Sequence, residues 1–260
     1  MNRRSFIFSA SMAGLGLPNA GHSQIIDLND AINKAERQRM LSQRMGKAWL
    51  SIGQSVQTQA AKKILDQSMT LFERQLLELK AFAPSGDISS LYAELEFSWS
   101  GYKAILVRSH PSQESAMNMH EQSSKVLALA HKGTGLFEQQ SGKPVAKLVN
   151  IAGRQRMLSQ RMAEYYLAVN WGISIAASQK ELLKASDEFV TSLATLRNAP
   201  QATAEIKQEL DLADHQWVFF DNALKTKVAS ARAAKDVFVT SENLLQVMDR
   251  ITGMYAKIVA

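Results

Sequence analysis

The sequence predicts an all-α chain built as two tandem antiparallel four-helix bundles, and three observations carry that expectation. Glycine (13) and proline (5) are sparse among 260 residues, while Ala, Leu, Lys, Gln and Glu abound, a composition that favours helix. Apolar residues recur at helical spacing, as in Ile64, Leu65, Met69, Phe72, Leu76 and Leu79, with turn residues between such runs. The string RQRMLSQRM spans 37–45 and returns unchanged at 154–162.

The first helix is expected over 27–58, with Asp27 or Asn29 as its N-cap. The second runs over 60–82, and Pro84-Ser85-Gly86-Asp87 forms the following loop. The third covers 88–108, His110-Pro111-Ser112 breaks it, and the fourth covers 114–140. At the seam, Gly142 can end a helix and Pro144 can start one; one long kinked helix is the alternative. In the second copy, Ser178-Gln179-Lys180-Glu181 reads as a capping box opening the second helix, and Asn198-Ala199-Pro200 ends that helix. The last break is placed near 229–235 by alignment alone. Short loops between long amphipathic helices give up-down bundles.

The repeat extends past the nine letters. At one offset Asn33, Ala35, Leu50, Phe72 and Leu76 align with Asn150, Ala152, Leu167, Phe189 and Leu193. One residue later in register, Trp99, Ser123 and Leu127 align with Trp217, Ser241 and Leu245. Residues 25–142 and 143–260 are therefore read as two copies of one unit.

Residues 1–24 have the plan of a secretory signal peptide: Arg3 and Arg4, a short apolar stretch, then a polar exit of small residues. Arg3-Arg4-Ser5-Phe6-Ile7 resembles the twin-arginine export motif, which points to the periplasm. No later segment is apolar enough to span a membrane. The formal net charge of +6 falls to +4 without those two arginines, and the charges are dispersed, so no nucleic-acid face is expected. The absence of cysteine excludes disulfides and thiolate chemistry.

On a helix turning about 100° per residue, Arg39 shares a stripe with Ile32, Ala35, Gln43, Gly46 and Leu50. Arg156 shares one with Val149, Ala152, Gln160, Ala163 and Leu167. Stripes of small residues allow close helix approach, and an arginine inside one is desolvated and needs an acceptor. If the copies pack about a pseudo-two-fold axis, Arg39 and Arg156 face each other, and a planar oxyanion suits the gap between two guanidinium forks. Arg44 and Arg161 lie roughly 140° away and serve another surface. Glu36 stands where the second copy has Gly153, and it can weaken an anion or pair with Arg39 itself. The plainer alternative is that Arg37 and Arg39 are solvated and the methionines are ordinary core.

The segments 33–44 (NKAERQRMLSQR) and 150–161 (NIAGRQRMLSQR) resemble the P-box of NarX-type nitrate/nitrite sensors and the periplasmic repeats of PilJ, the type IV pilus chemotaxis transducer. The resemblance implies a periplasmic four-helix bundle with a ligand between paired first helices. It implies Arg39 and Arg156 as the anion ligands, with Asn33, Glu36, Arg44, Asn150, Gly153 and Arg161 in support. It also implies that one chain supplies what those sensors make by dimerising, with nitrate or nitrite as the small anion and a membrane sensor or transporter as partner. Glu36 in place of the usual glycine and Ile151 in place of the usual lysine depart from the pattern. The rival reading is an interaction module of a sensory, pilus-chemotaxis or transport system, with no small ligand. No nucleophile elbow, phosphate loop or Glu-x-x-His pattern is present, so neither an enzyme nor a metal or other cofactor is expected. Met117, Met119 and His120 hint at soft metal only weakly.

Overall fold

A computed structural model describes residues 25–226 and 230–258. The signal peptide expected at 1–24 lies outside the described residues. Among the described residues eight helices follow one another: α1 (Leu28–Gly53), α2 (Thr58–Phe82), α3 (Gly86–Arg108), α4 (Gln113–Ser141), α5 (Pro144–Asn170), α6 (Ile175–Asn198), α7 (Ala204–Leu224) and α8 (Ala231–Ala256). No strand occurs among the described residues, and the order fits two four-helix bundles. None of these helices is long and apolar enough to cross a membrane.

The helix starts follow capping chemistry. Asp27 accepts from the Asp30 N–H at 2.8 Å and opens α1. Ser85, Thr203 and Ser230 cap α3, α7 and α8 in the same way. Ser112 and Ser115 form a reciprocal box at the start of α4. At the seam, Gly142 takes a left-handed φ of 61° and Pro144 sits in the first turn of α5, so two helices meet there and no single kinked helix runs through.

Two boundaries differ from expectation. α1 stops at Gly53, before 58, because Ser55 and Gln57 adopt left-handed conformations (φ 56° and 48°) that no helix continues. The second repeat turns at the matching place through Gly172 and Ser174 (φ 79° and 44°). α6 consequently begins at Ile175, and Ser178 is not a cap. It lies inside the helix, and its hydroxyl donates back to the Ile173 carbonyl at 3.2 Å.

α1 packs most extensively against α5, and each is flanked by its own repeat's second and fourth helices. The apolar residues of both repeats form one continuous core. Its aromatic lining is duplicated. Phe72 and Trp99 lie 4.4 Å apart with Tyr102 edge-on, and Phe189 and Trp217 lie 4.7 Å apart with Phe220 edge-on. α1 and α5 are thus sandwiched centrally, so every face of the repeated string meets another helix.

Candidate functional site

The apolar, glutamine and serine letters of RQRMLSQRM have matching structural tasks in the two copies, and the arginines differ. Leu41, Met45, Leu158 and Met162 are core. Gln38 and Gln155 donate to the carbonyls of Phe72 and Phe189 at 3.0 and 3.2 Å. Ser42 and Ser159 donate to the carbonyls of Arg39 and Arg156, each at 2.8 Å. Gln43 reaches the Ser123 hydroxyl at 2.9 Å, and Gln160 the Ser241 carbonyl at 3.0 Å. A buried polar side chain without a partner costs roughly 1–3 kcal/mol, so these paired obligations hold the string to its letters.

The central arginines cross between repeats. Arg39 and Arg156 are both fully buried. Arg39 Nη2 donates to Asn150 Oδ1 at 3.1 Å, and Arg156 Nη2 donates to the Asn33 carbonyl at 3.0 Å. The aligned asparagines thus exchange places across the α1/α5 seam. On the fourth helices the counterparts differ. Arg39 Nη1 lies 2.7 Å from His131 Nδ1, while Arg156 Nη1 donates to Asp249 Oδ1 at 2.6 Å.

Glu36 closes the first arginine from below. Its carboxylate is fully buried, pairs with Arg39 Nη2 and lies across Gly153, where a Cβ would stand 2.6 Å from Glu36 Cβ. Burial pushes the Glu36 carboxyl up to about 7, against the pull of Arg39, Arg156 and Arg154. Burial lowers Arg39, and burial with the neighbouring Arg37 charge brings Arg156 down to about 10. Burial and then the Arg39 and Arg154 charges lower His131. Asp249 goes the other way: burial favours its neutral form, but Arg156 and Arg37 outweigh it and hold the carboxyl at about 2.

The outer arginines form two ladders at heptad spacing. On one side Arg37 and Arg44 of α1 meet Asp249 and Glu242 of α8, at 3.0 and 2.5 Å. On the other, Arg154 and Arg161 of α5 meet Glu188 and Glu181 of α6, the latter at 2.9 Å. Helices running antiparallel bring residues seven apart opposite residues seven apart, so both ladders have two rungs. The first joins the repeats and the second stays within one. Deeper along the seam, fully buried Lys47 donates to Glu242 at 2.5 Å and to the Ser241 hydroxyl at 3.1 Å. Its counterpart Glu164, also fully buried, meets His120 Nδ1 at 3.0 Å.

Beside a smaller cleft on the Arg154–Glu188 and Arg161–Glu181 pairs, one of about 260 Å³ opens on Arg39. Arg39, Arg154, Arg161, His131, Ser124, Leu127, Ala128 and Met157 line it, and no carboxylate is among them. Arg39 and Arg156 each keep a buried Nε–H without a hydrogen-bond partner among the described residues. Of the residues singled out from the sequence, Arg39, Glu36 and Asn150 come together; Arg156 and Asn33 form the mirrored contact. Arg44 and Arg161 sit on the ladders. Gly153 provides the space beneath Glu36. His131, Asp249, Glu242, Lys47 and Arg154 were not predicted. The alignment does hold a signal for two of them: acids stand at 242 and 249 where the first copy has Ser124 and His131.

No curated protein and no solved structure matches the chain. The family model for the type IV pili methyl-accepting chemotaxis transducer N-terminal domain (PilJ) matches residues 24–125 and again 138–242. Each match covers the string and the aromatic lining of one copy and ends inside its fourth helix, before His131 in the first copy and Asp249 in the second. The chain belongs to the PilJ family and carries its domain twice.

Proposed function

We propose that this chain is an exported, non-catalytic sensory module that holds a small oxyanion, nitrate or nitrite first, at the arginines of its paired α1 and α5 helices, and passes its occupancy to a membrane partner. The sensory character follows the transducer family. The periplasm follows from the leader-like residues at 1–24.

One observation carries the anion. Buried Arg39, whose Nε–H has no hydrogen-bond partner among the described residues, forms the wall of a cleft whose other polar lining is His131, Ser124 and the ladder arginines Arg154 and Arg161, which also meet Glu188 and Glu181. Guanidinium forks match planar oxyanions, and a charge-assisted bond there is worth roughly 1.5–3 kcal/mol. A bound anion competes with Glu36 for Arg39, so occupancy is coupled to the packing of α1 on α5. Arg156, the second ligand expected from the string, is engaged by Asp249 and Asn33 on the opposite face.

Calorimetric titration of the chain without residues 1–24 tests this, using nitrate, nitrite, chloride and sulfate. Binding of nitrate or nitrite that is weakened at least tenfold in Arg39→Ala and Arg154→Ala is the expected result. No heat and no thermal shift with any anion would leave the interaction-module reading in its place.

A further inference from the structure

The two faces of the α1/α5 pair are related by the repeat, yet they differ at two positions of the fourth helices. Around Arg39 stand Arg154 and Arg161, whose acids come from α6, with Glu36 of α1 on Arg39 itself, and α4 adds the neutral Ser124 and the imidazole of His131. Around Arg156 stand Arg37 and Arg44, their counterparts, and α8 adds Glu242 and Asp249. A single oxygen of Asp249 receives Arg156 Nη1 at 2.6 Å and Arg37 Nη2 at 3.0 Å. Its carboxylate is therefore a monovalent, planar oxyanion held between two guanidinium groups, at the place His131 takes on the other face.

Two further features mark Asp249 as a filler and not a core element. Its side chain is 46% exposed, so it reaches in from the surface to a fully buried arginine. Arg156 still keeps an unpartnered buried Nε–H beside it, a donor that a ligand with more oxygens can take up. Glu36, the other acid whose charge acts on Arg156, is already committed to Arg39.

We propose that Asp249 is the built-in ligand of a second, latent oxyanion site formed by Arg37 and Arg156, and that removing its carboxylate opens this site to small planar monovalent oxyanions, nitrate and free carboxylates alike. The intact chain then takes one anion, on the His131 face, and not two. That count rests on the proposed function; the Asp249 face is tested independently of it.

The experiment is chemical rescue. Asp249→Ala, Asp249→Asn and wild-type chains without residues 1–24 are melted and titrated with sodium nitrate and with sodium acetate, chloride serving as the ionic-strength control. Both variants are expected to melt lower than wild type, to recover with nitrate, and to bind about one anion more per chain than wild type; acetate is expected to rescue Asp249→Ala best, because it refills the deleted carboxylate. Affinity of that added site should fall roughly tenfold or more when Arg37→Ala is combined with either variant. Variants whose melting nitrate and acetate raise no more than they raise wild type's, and that bind no additional anion, overturn the inference while leaving the His131 face standing. Binding in the variants with none in wild type supports the inference and removes the reading of the His131 face. Should Asp249→Ala fail to fold, Asp249→Asn decides, because its uncharged, half-exposed side chain can turn out to water and leave Arg37 and Arg156 to the anion.

Discussion

Glu36 lies across Gly153, and the two residues occupy equivalent positions in the two repeats. The acid of one copy fills the space that the missing side chain of the other provides. Its carboxylate is pinned on Arg39, so the Glu36 side chain cannot swing aside without exposing a buried cation. Gly153→Ala is therefore expected to destabilise the chain by about 1–3 kcal/mol through overpacking. Gly135→Ala on α4, where a Cβ meets nothing within 4 Å, is expected to be neutral or to stabilise. Urea denaturation of both variants compares the two directly.

The same burial makes stability depend on pH. Glu36 has a folded value of about 7 against 4.5 unfolded, so between those values the folded chain binds more protons and its stability falls as pH rises. His120 acts in the same sense. Burial alone would lower it, but the bond to Glu164 and that charge raise it, and its contribution is lost as pH rises through the folded value. His131 is lowered and works in the opposite direction. Glu36→Gln should thus flatten the decline in unfolding free energy between about pH 5 and 7. A wild-type and variant pair with parallel pH profiles would remove Glu36 from this role.

Lys47 tests the seam away from the cleft. It is fully buried, with Glu242, Ser241 and the Phe238 ring around its ammonium group, the ring centroid at 4.7 Å. Lys47→Ala removes both the charge and the packed stem, and a loss of roughly 2–4 kcal/mol is expected. Lys47→Met keeps the volume, and Arg44 still satisfies Glu242, so its loss should be smaller. Burial lowers Lys47 to about 8 despite Glu242, so the unfolded chain binds the extra proton between about 8 and 10.5. Stability relative to Lys47→Met should rise with pH across that window, which a pH series of melts measures.

The helical class, the duplication and the burial of Arg39 were legible because they follow from periodicity, from aligned identities and from the small-residue stripe around that arginine. The cap at Ser178 was misread because the repeat's left-handed turn at Ser174 carries no proline, and a Ser-x-x-Glu pattern does not reveal that a helix has already started. The pairing of Glu36 with Arg39 was legible beside the first string, but the acids that meet Arg37, Arg44, Arg154, Arg156 and Arg161 were not. They come from α6 and α8, and single-helix arithmetic fixes which face an arginine lies on without naming the helix that covers it. Gln38 and Gln155 show the same limit: their partners are carbonyls, which leave no trace in a sequence.

The two ladders separate cohesion within a repeat from cohesion between repeats. Glu242 joins α8 to Arg44 and Lys47 of α1, with side chains only 18%, 0% and 16% exposed for Arg44, Lys47 and Glu242. Glu181 joins α6 to Arg161 of its own repeat, at 33% and 22% exposure for the acid and the arginine. Removing an acid from the first site strands one buried ammonium and one largely buried guanidinium. Removing it from the second strands no buried ammonium and leaves one arginine that still donates to the Tyr165 hydroxyl at 3.1 Å. Glu242→Gln is therefore expected to cost about 3 kcal/mol or more, and Glu181→Gln under about 1 kcal/mol. The Glu242 loss should also speed hydrogen exchange along both α1 and α8, since that rung spans the repeats, whereas Glu181→Gln should leave α1 protection unchanged. Equal losses in the two variants would mean that the seam is held by apolar packing alone, and that the acids of α8 serve only to neutralise the arginines beside them.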